Sequence, residues 1–130
     1  MLREGRDAAI ITCGMLVSDA AEDIQVRVVD MFTIKPIDRR CVLESARLTG
    51  AIVTASLKAA DTLENHQVIG GLGSAVSEVL AEHVPTPLER VGVKDVFGEV
   101  GPQDYLMEHF GLTASHIAEA VKKVIRRKSV

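Results

Sequence analysis

Aromatic side chains are nearly missing from this chain: it has no tryptophan, one tyrosine and three phenylalanines in 130 residues. Its core must therefore be built from Val, Ile, Leu and Ala. A strong excess of one sign of charge is also missing. The formal net charge is -3 and the sequence pI about 5.8, so no global field draws in nucleic acid or anionic lipid. Only two cysteines occur, Cys13 and Cys41, in a predicted strand and a predicted helix. Two unclustered cysteines fit reduced, buried thiols of a cytoplasmic protein rather than a disulfide framework. No secretory leader and no apolar run of membrane-spanning length is found. Hydrophobic residues make up 47% of the chain, which excludes a disordered tail. The expectation is one cytoplasmic domain spanning residues 1–130, large enough for a real core.

Apolar runs alternate with helical patterns along the chain. AAIITC (Ala8–Cys13) is continuously apolar, the pattern of a strand covered on both faces. VRVVDMF (26–32) is a second strand, broken by Lys35-Pro36. Asp38 is placed to cap RRCVLESARL, whose Val42 and Ala46 share a face, and Gly50 supplies the stop. AIVT (51–54) is a third strand. Gly70, Gly71 and Gly73 lead into the helix SAVSEVLAEH, ended by Pro85 and Pro87, and LERVGV (88–93) is a fourth strand. Pro102 opens a short helix, QDYLMEHF. Thr113 caps a final helix with an apolar stripe of Ile117, Val121, Val124 and Ile125. Such alternation predicts an α/β three-layer sandwich, a mostly parallel sheet of four or five strands flanked by helices.

One connection is too short for that fold. Between Cys13 and Gln25 only GMLVSDAAEDI intervenes, near the bare minimum of roughly 10–12 residues for a parallel crossover. A strand of six residues is about 20 Å long, and a helix retracing it needs about 13 residues. Another connection is too long. From Ala55 to Leu63 the stretch ASLKAADTL has helical composition, with Leu57, Ala60 and Leu63 able to share a face. The sheet would gain from that cover, since burial of apolar area stabilises by roughly 25 cal/mol per Å².

The residue types that carry chemistry are thinly spread. Gly70-Gly71-Leu72-Gly73-Ser74 precedes a helix N-terminus, where amides and the dipole favour an anion. It lacks the Lys-Ser/Thr ending of a P-loop and does not satisfy G-x-G-x-x-G. Tight strand-to-helix packing is the weightier reading of these glycines, and an anion site the alternative. His83, His109 and His116 share no metal-ligand spacing. The run KKVIRRK lacks interleaved aromatics and suits a solvated helix C-terminus better than nucleic acid.

Several stretches resemble the C-terminal domain of transketolase and related thiamine-diphosphate enzymes. They are REGRDAAIITCGMLVS, VRVVDMFTIKPID, TGAIVT, ENHQVIGGLGSAVSEVLAE and VGVKDVFGEVGPQDYLMEHFGLTASHI, in family order. Members of that family carry a helix directly after the GMLVS turn, and ASLKAADTL resembles it. The resemblance thus implies a segment relocated to follow AIVT, by engineering or natural rearrangement, and docked in its own chain or swapped into a neighbour; an ordinary insertion forming a surface loop is the alternative. It also implies an isolated third domain that serves folding and subunit assembly rather than chemistry. The parent activity would be ketol transfer between sugar phosphates, with thiamine diphosphate and a divalent metal held by other domains. Glu64, Asn65 and His66 match the family stretch before the glycines, which lies toward the subunit interface. Together with Gly70, Gly71, Gly73 and Ser74 they form the candidate anion or interface turn; no catalytic, cofactor or metal residue is assigned. Expected partners are the remaining transketolase domains or subunit and further copies of the chain, with no nucleic acid and no membrane. The alternatives are a small phosphate-binding domain and a rearranged oligomerising scaffold.

Overall fold

Ala8, Ala9, Ile10 and Ile11 each have 0% exposure, so the strand they form needs cover on both faces and neighbours on both edges. The computed structural model, which describes residues 3–13, 23–56, 71–92, 105 and 113–128, supplies both. β1 (Ala8–Cys13) lies between β2 (Val26–Asp30) and β3 (Ile52–Ser56), and β4 (Leu88–Val91) extends the sheet. The order is β2-β1-β3-β4 and every pairing is parallel. Ala8 stands opposite Val26, and Ala9 opposite Ile52. Helices α1 (Arg39–Thr49) and α2 (Leu72–His83) cover one face, and α3 (Ala114–Lys128) covers the other. This is the three-layer α/β sandwich that the alternating pattern predicts.

Strand side chains alternate between faces, and the two cores follow that parity. Ile10, Val28 and Val53 pack with Ile117, Val121 and Val124 of α3. Ile11, Val29 and Ile52 pack with Val42 and Ala46 of α1 and Val76, Val79 and Leu80 of α2. Each fully buried aliphatic side chain contributes about 1.5–3 kcal/mol. The charged face of α3 contributes less. Lys123 and Arg127 pair with Glu89 of β4 at 3.0 and 2.6 Å, and such half-exposed pairs are worth at most about 1 kcal/mol. The apolar stripe therefore holds α3 to the sheet, and the ion pairs orient it. Burial works to raise the Glu89 carboxyl, but hydrogen bonds from Lys123 and Arg127 outweigh it and leave its pKa lowered. A depressed carboxyl stabilises the fold above its unfolded pKa, and that contribution is lost as pH falls through the folded value.

The helix ends form as the residues dictate. Asp38 Oδ1 accepts from the Cys41 amide at 3.0 Å, satisfying a donor that α1 leaves unpaired. Gly50 adopts the left-handed conformation, φ 67°, and its amide donates to the Ala46 carbonyl at 2.8 Å. A side chain there would be strained. The Lys35-Pro36 peptide is cis, within the turn expected at that break.

Three boundaries differ from expectation. β2 stops at Asp30: the Met31 amide still donates to Thr12 O at 2.7 Å, but Phe32 is 88% exposed. β3 runs on through Ala55 and Ser56, which pair with Thr12 and Cys13. The first two residues of the stretch 55–63 are thus strand, because β1 is long enough to offer them partners. β4 ends at Val91, short of the expected 93. Residues 57–63 and the crossover at 14–22 lie outside the described residues, as does most of the predicted helix 103–110, of which Tyr105 alone is described, helical and half-exposed. Ile24, at the end of that crossover, packs half-buried on the α3-side core.

The outer edge of β2 does not stand open. Arg3 forms an antiparallel bridge with Val28, with amide–carbonyl distances of 3.3 and 2.9 Å, which covers an edge otherwise free to pair with another chain. Asp7 closes the same corner, its amide donating to Gln25 O at 2.9 Å and its carboxylate accepting from the Gln25 amide at 2.7 Å. Between them, Gly5 lies so close to β2 that a Cβ would stand 2.3 Å from the Val26 carbonyl carbon and 2.4 Å from the Arg27 nitrogen. Backbone cannot swing aside. Gly5→Ala should therefore cost about 2 kcal/mol or more, within the overpacking range. It should appear as a lower urea midpoint at unchanged m value, and an unchanged midpoint would show that the edge contact is not held.

Candidate functional site

In open parallel sheets, ligand sites gather at the carboxyl ends of the strands. Helix α2 begins at that end, so its first turn is where the candidate residues must be judged. Gly71 is the N-cap, with extended backbone (φ -95°, ψ -155°) and no side-chain hydrogen bond to the helix. The helix starts at Leu72, two residues before the SAVSEVLAEH of the sequence reading, so Gly73 lies inside its first turn.

The space beside Gly73 is occupied. A Cβ there would meet Arg90 Cδ at 2.9 Å, and both Arg90 Cγ and Thr54 Oγ1 at 3.0 Å. Glycine lets α2 descend onto β3 and β4 at once, which is the packing role its spacing suggested. Ser74 is half-buried in the same turn, and its carbonyl accepts from Ser77 Oγ at 2.9 Å. The structure thus brings Gly71, Gly73 and Ser74 together. Glu64, Asn65, His66 and Gly70 lie outside the described residues.

The other reactive side chains among the described residues are dispersed. Cys41 is half-buried on α1 rather than in the core. Burial raises its thiol pKa and Asp38 adds to that, against a smaller opposing pull from Arg27. A raised thiol pKa keeps the sulfur protonated and weakly nucleophilic. His83 is exposed at the end of α2, and His116 lies in the first turn of α3 with Nδ1 2.5 Å from Thr113 Oγ1. His109 is outside the described residues. Among the described residues no three His, Cys, Asp or Glu converge to hold a metal ion, and no helix is long and apolar enough to cross a membrane.

Sequence reading missed Arg27. It is 4% exposed on β2, on the face turned to α1. Its Nε donates to Ser45 Oγ at 3.1 Å, and its guanidinium pairs with Glu44 Oε1 at 3.3 Å. The only signal in the sequence is a lone arginine inside the apolar strand VRVVD. The basic run of α3 is likewise partly structural: Arg127 also donates to Leu88 O at 2.8 Å, and Lys128 reaches Asp7 O at 3.3 Å.

Strand order, helix placement and glycine packing define a doubly wound α/β domain. Residues 1–117 match the family described as "Transketolase, C-terminal domain", and the chain belongs to that family. It is 47% identical over 137 aligned residues to the 6-deoxy-6-sulfo-D-fructose transketolase subunit SqwH of Clostridium sp. (strain MSTE9), covering 99% of this chain and 40% of that protein. It is 35% identical to the 1-deoxy-D-xylulose-5-phosphate synthase of Heliobacterium modesticaldum, covering 95% of this chain and 19% of the synthase. Among solved structures, a split-gene transketolase described as an inactive beta4 tetramer aligns with TM-score 0.83 and 49% identity. That match covers 98% of this chain and 42% of the other. The chain spans about two fifths of the transketolase subunit and a fifth of the synthase.

The packing role of Gly73 has a measurable sign. Gly→Ala inside a helix gains about 1 kcal/mol from propensity alone. At Gly73 the contacts with Thr54 and Arg90 should reverse that, so Gly73→Ala lowers the urea midpoint. Adding Thr54→Ala should recover part of the loss through non-additivity. A stabilised single variant would show that the close approach is dispensable.

Proposed function

We propose that this chain is the C-terminal domain of a transketolase-type enzyme and acts by assembling with domains that carry the chemistry. The family match over residues 1–117 is the observation that carries this reading. The likeness to a split-gene transketolase over 98% of this chain supports it. On this reading the assembled enzyme transfers a ketol unit between sugar phosphates. Thiamine diphosphate and a divalent metal are held by the missing domains, and the chain works in the cytoplasm. Two similar proteins are named as a transketolase subunit and a split-gene transketolase, which favours a separate complementary subunit and more than one copy of this chain. With thiamine diphosphate and Mg²⁺, the 130-residue chain alone should not turn over a ketose phosphate. Adding a subunit that carries the missing domains should produce stable co-elution and ketol transfer. Turnover by the chain alone, or failure to bind that subunit, would overturn the reading.

The same reading assigns residues 57–63 to the helix that family members carry after the GMLVS turn. Ala55 and Ser56 stay with β3. The short crossover before Val26 supports this. So does the aligned length of 137 residues with the transketolase subunit, which exceeds the 130 of this chain and requires gaps in it. Excising 57–63 and reinserting it after Ser18 should raise the melting temperature by several degrees, because a few kcal/mol of apolar cover is restored. Equal or lower melting would sink the relocation.

A further inference from the structure

Strand β4 ends the sheet on the side away from β2, and among the described residues no strand pairs with its outer side. Ile52 stands opposite Leu88, and its amide donates to Pro87 O at 3.0 Å. In a parallel ladder a bonded residue joins the two neighbours of the residue it faces. Leu88 therefore turns its own N–H and C=O away from β3, toward the outer edge. Backbone groups at such an edge are a template on which another strand can add. The Leu88 carbonyl is not left open. Arg127 of α3 reaches across the edge, and its Nη1 donates to Leu88 O at 2.8 Å and to Glu89 Oε1 at 2.6 Å. Lys123 Nζ holds the other carboxylate oxygen, Glu89 Oε2, at 3.0 Å.

We infer that Arg127 guards this edge: its guanidinium, steered by Glu89, occupies the Leu88 carbonyl and keeps the sheet from accepting a further strand. An incoming strand must donate an N–H to that oxygen, so it has to displace a charged donor first. Hydrogen bonds from a charged group are roughly twice as strong as neutral ones, which makes a backbone amide a poor replacement. The sequence around β4 serves the same end. The strand is only four residues long, Pro85 and Pro87 precede it without amide donors, and Glu89 and Arg90 are charged. Short edge strands, prolines and charges all disfavour edge-to-edge pairing. The opposite edge of the sheet is covered differently, by the Arg3–Val28 bridge. An ion pair that only seated α3 on the sheet would need the Glu89 carboxylate and not the carbonyl beside it. Lys123 makes the carboxylate contact; Arg127 adds the backbone one.

Arg127→Met and Lys123→Met each remove one positive charge and one partner of Glu89, but only the first uncovers a backbone acceptor. The 130-residue chain and both variants are incubated over a concentration series, at a temperature where circular dichroism shows each fully folded. Thioflavin T fluorescence and pelleting read strand-paired assemblies. The native chain and Lys123→Met should stay in solution. Arg127→Met should assemble at least about tenfold faster than either, because no charged donor has to be displaced. Arg127→Lys keeps a donor for Leu88 O and should restore most of the protection. If Arg127→Met does not fold, Arg127→Gln takes its place, since the shorter amide cannot span Leu88 and Glu89 together, and the same ordering is expected. Folded Arg127 variants that assemble no faster than the native chain would overturn the guard role. Lys123→Met assembling as fast as Arg127→Met would overturn it too, since loss of charge or of stability would then be the cause. Both results are independent of whether the chain captures a complementary subunit.

Discussion

A strand with no exposed face sets the terms for everything around it. With Ala8, Ala9, Ile10 and Ile11 all solvent-free, β1 cannot sit at an edge and cannot leave either side of its sheet bare. Its odd residues recruit α1 and α2, and its even residues recruit α3. β2 and β3 are its hydrogen-bonded neighbours by the same necessity, because an unpaired backbone buried this deeply would be costly. The two cores have almost no aromatic content. Their cohesion comes from interdigitated branched aliphatics, which tolerate little loss of fit.

Polar groups in this domain are placed where they choose an arrangement rather than where they supply most of the stability. Arg27 is a buried charge tied to α1 through Ser45 and Glu44. The desolvation it suffers can exceed the attraction it gains, so its effect is to select one seating of α1 on β2. Glu89 does the same for α3, gathering Lys123 and Arg127 at the edge of β4. Glycines serve a complementary purpose: Gly5 lies against the backbone of β2, and Gly73 against the side chains of Thr54 and Arg90.

These features make a domain that is well held together and chemically quiet in its described part. The first turn of α2 brings the helix down onto two strands at Gly73. Burial raises the pKa of the Cys41 thiol, and the two described histidines, His83 and His116, lie on helices that cover opposite faces of the sheet. The chain belongs to the transketolase C-terminal domain family, and two proteins similar to it are named as a subunit and a split-gene product.

Periodicity alone was enough to find the strands, the capped start and glycine stop of α1, and the apolar stripe of α3, because each depends on residues a few positions apart. The family was legible for the same reason, in local stretches such as VRVVDMFTIKPID and NHQVIGGLGSAV. What sequence could not yield is anything that depends on two distant stretches meeting. β3 continues through Ala55 and Ser56 because β1 extends far enough to pair with them, and a helical composition that begins at Ala55 gives no hint of it. The closeness of Gly73 to Thr54 and Arg90 cannot be read from the glycine spacing. Arg27 looks like an anomaly in an apolar strand until Ser45 and Glu44, on a helix seventeen and eighteen residues away, close around it. Local spacing decides which elements form; only the tertiary fold decides what each buried polar or glycine position must accommodate, since that is fixed by neighbours the chain brings in from elsewhere.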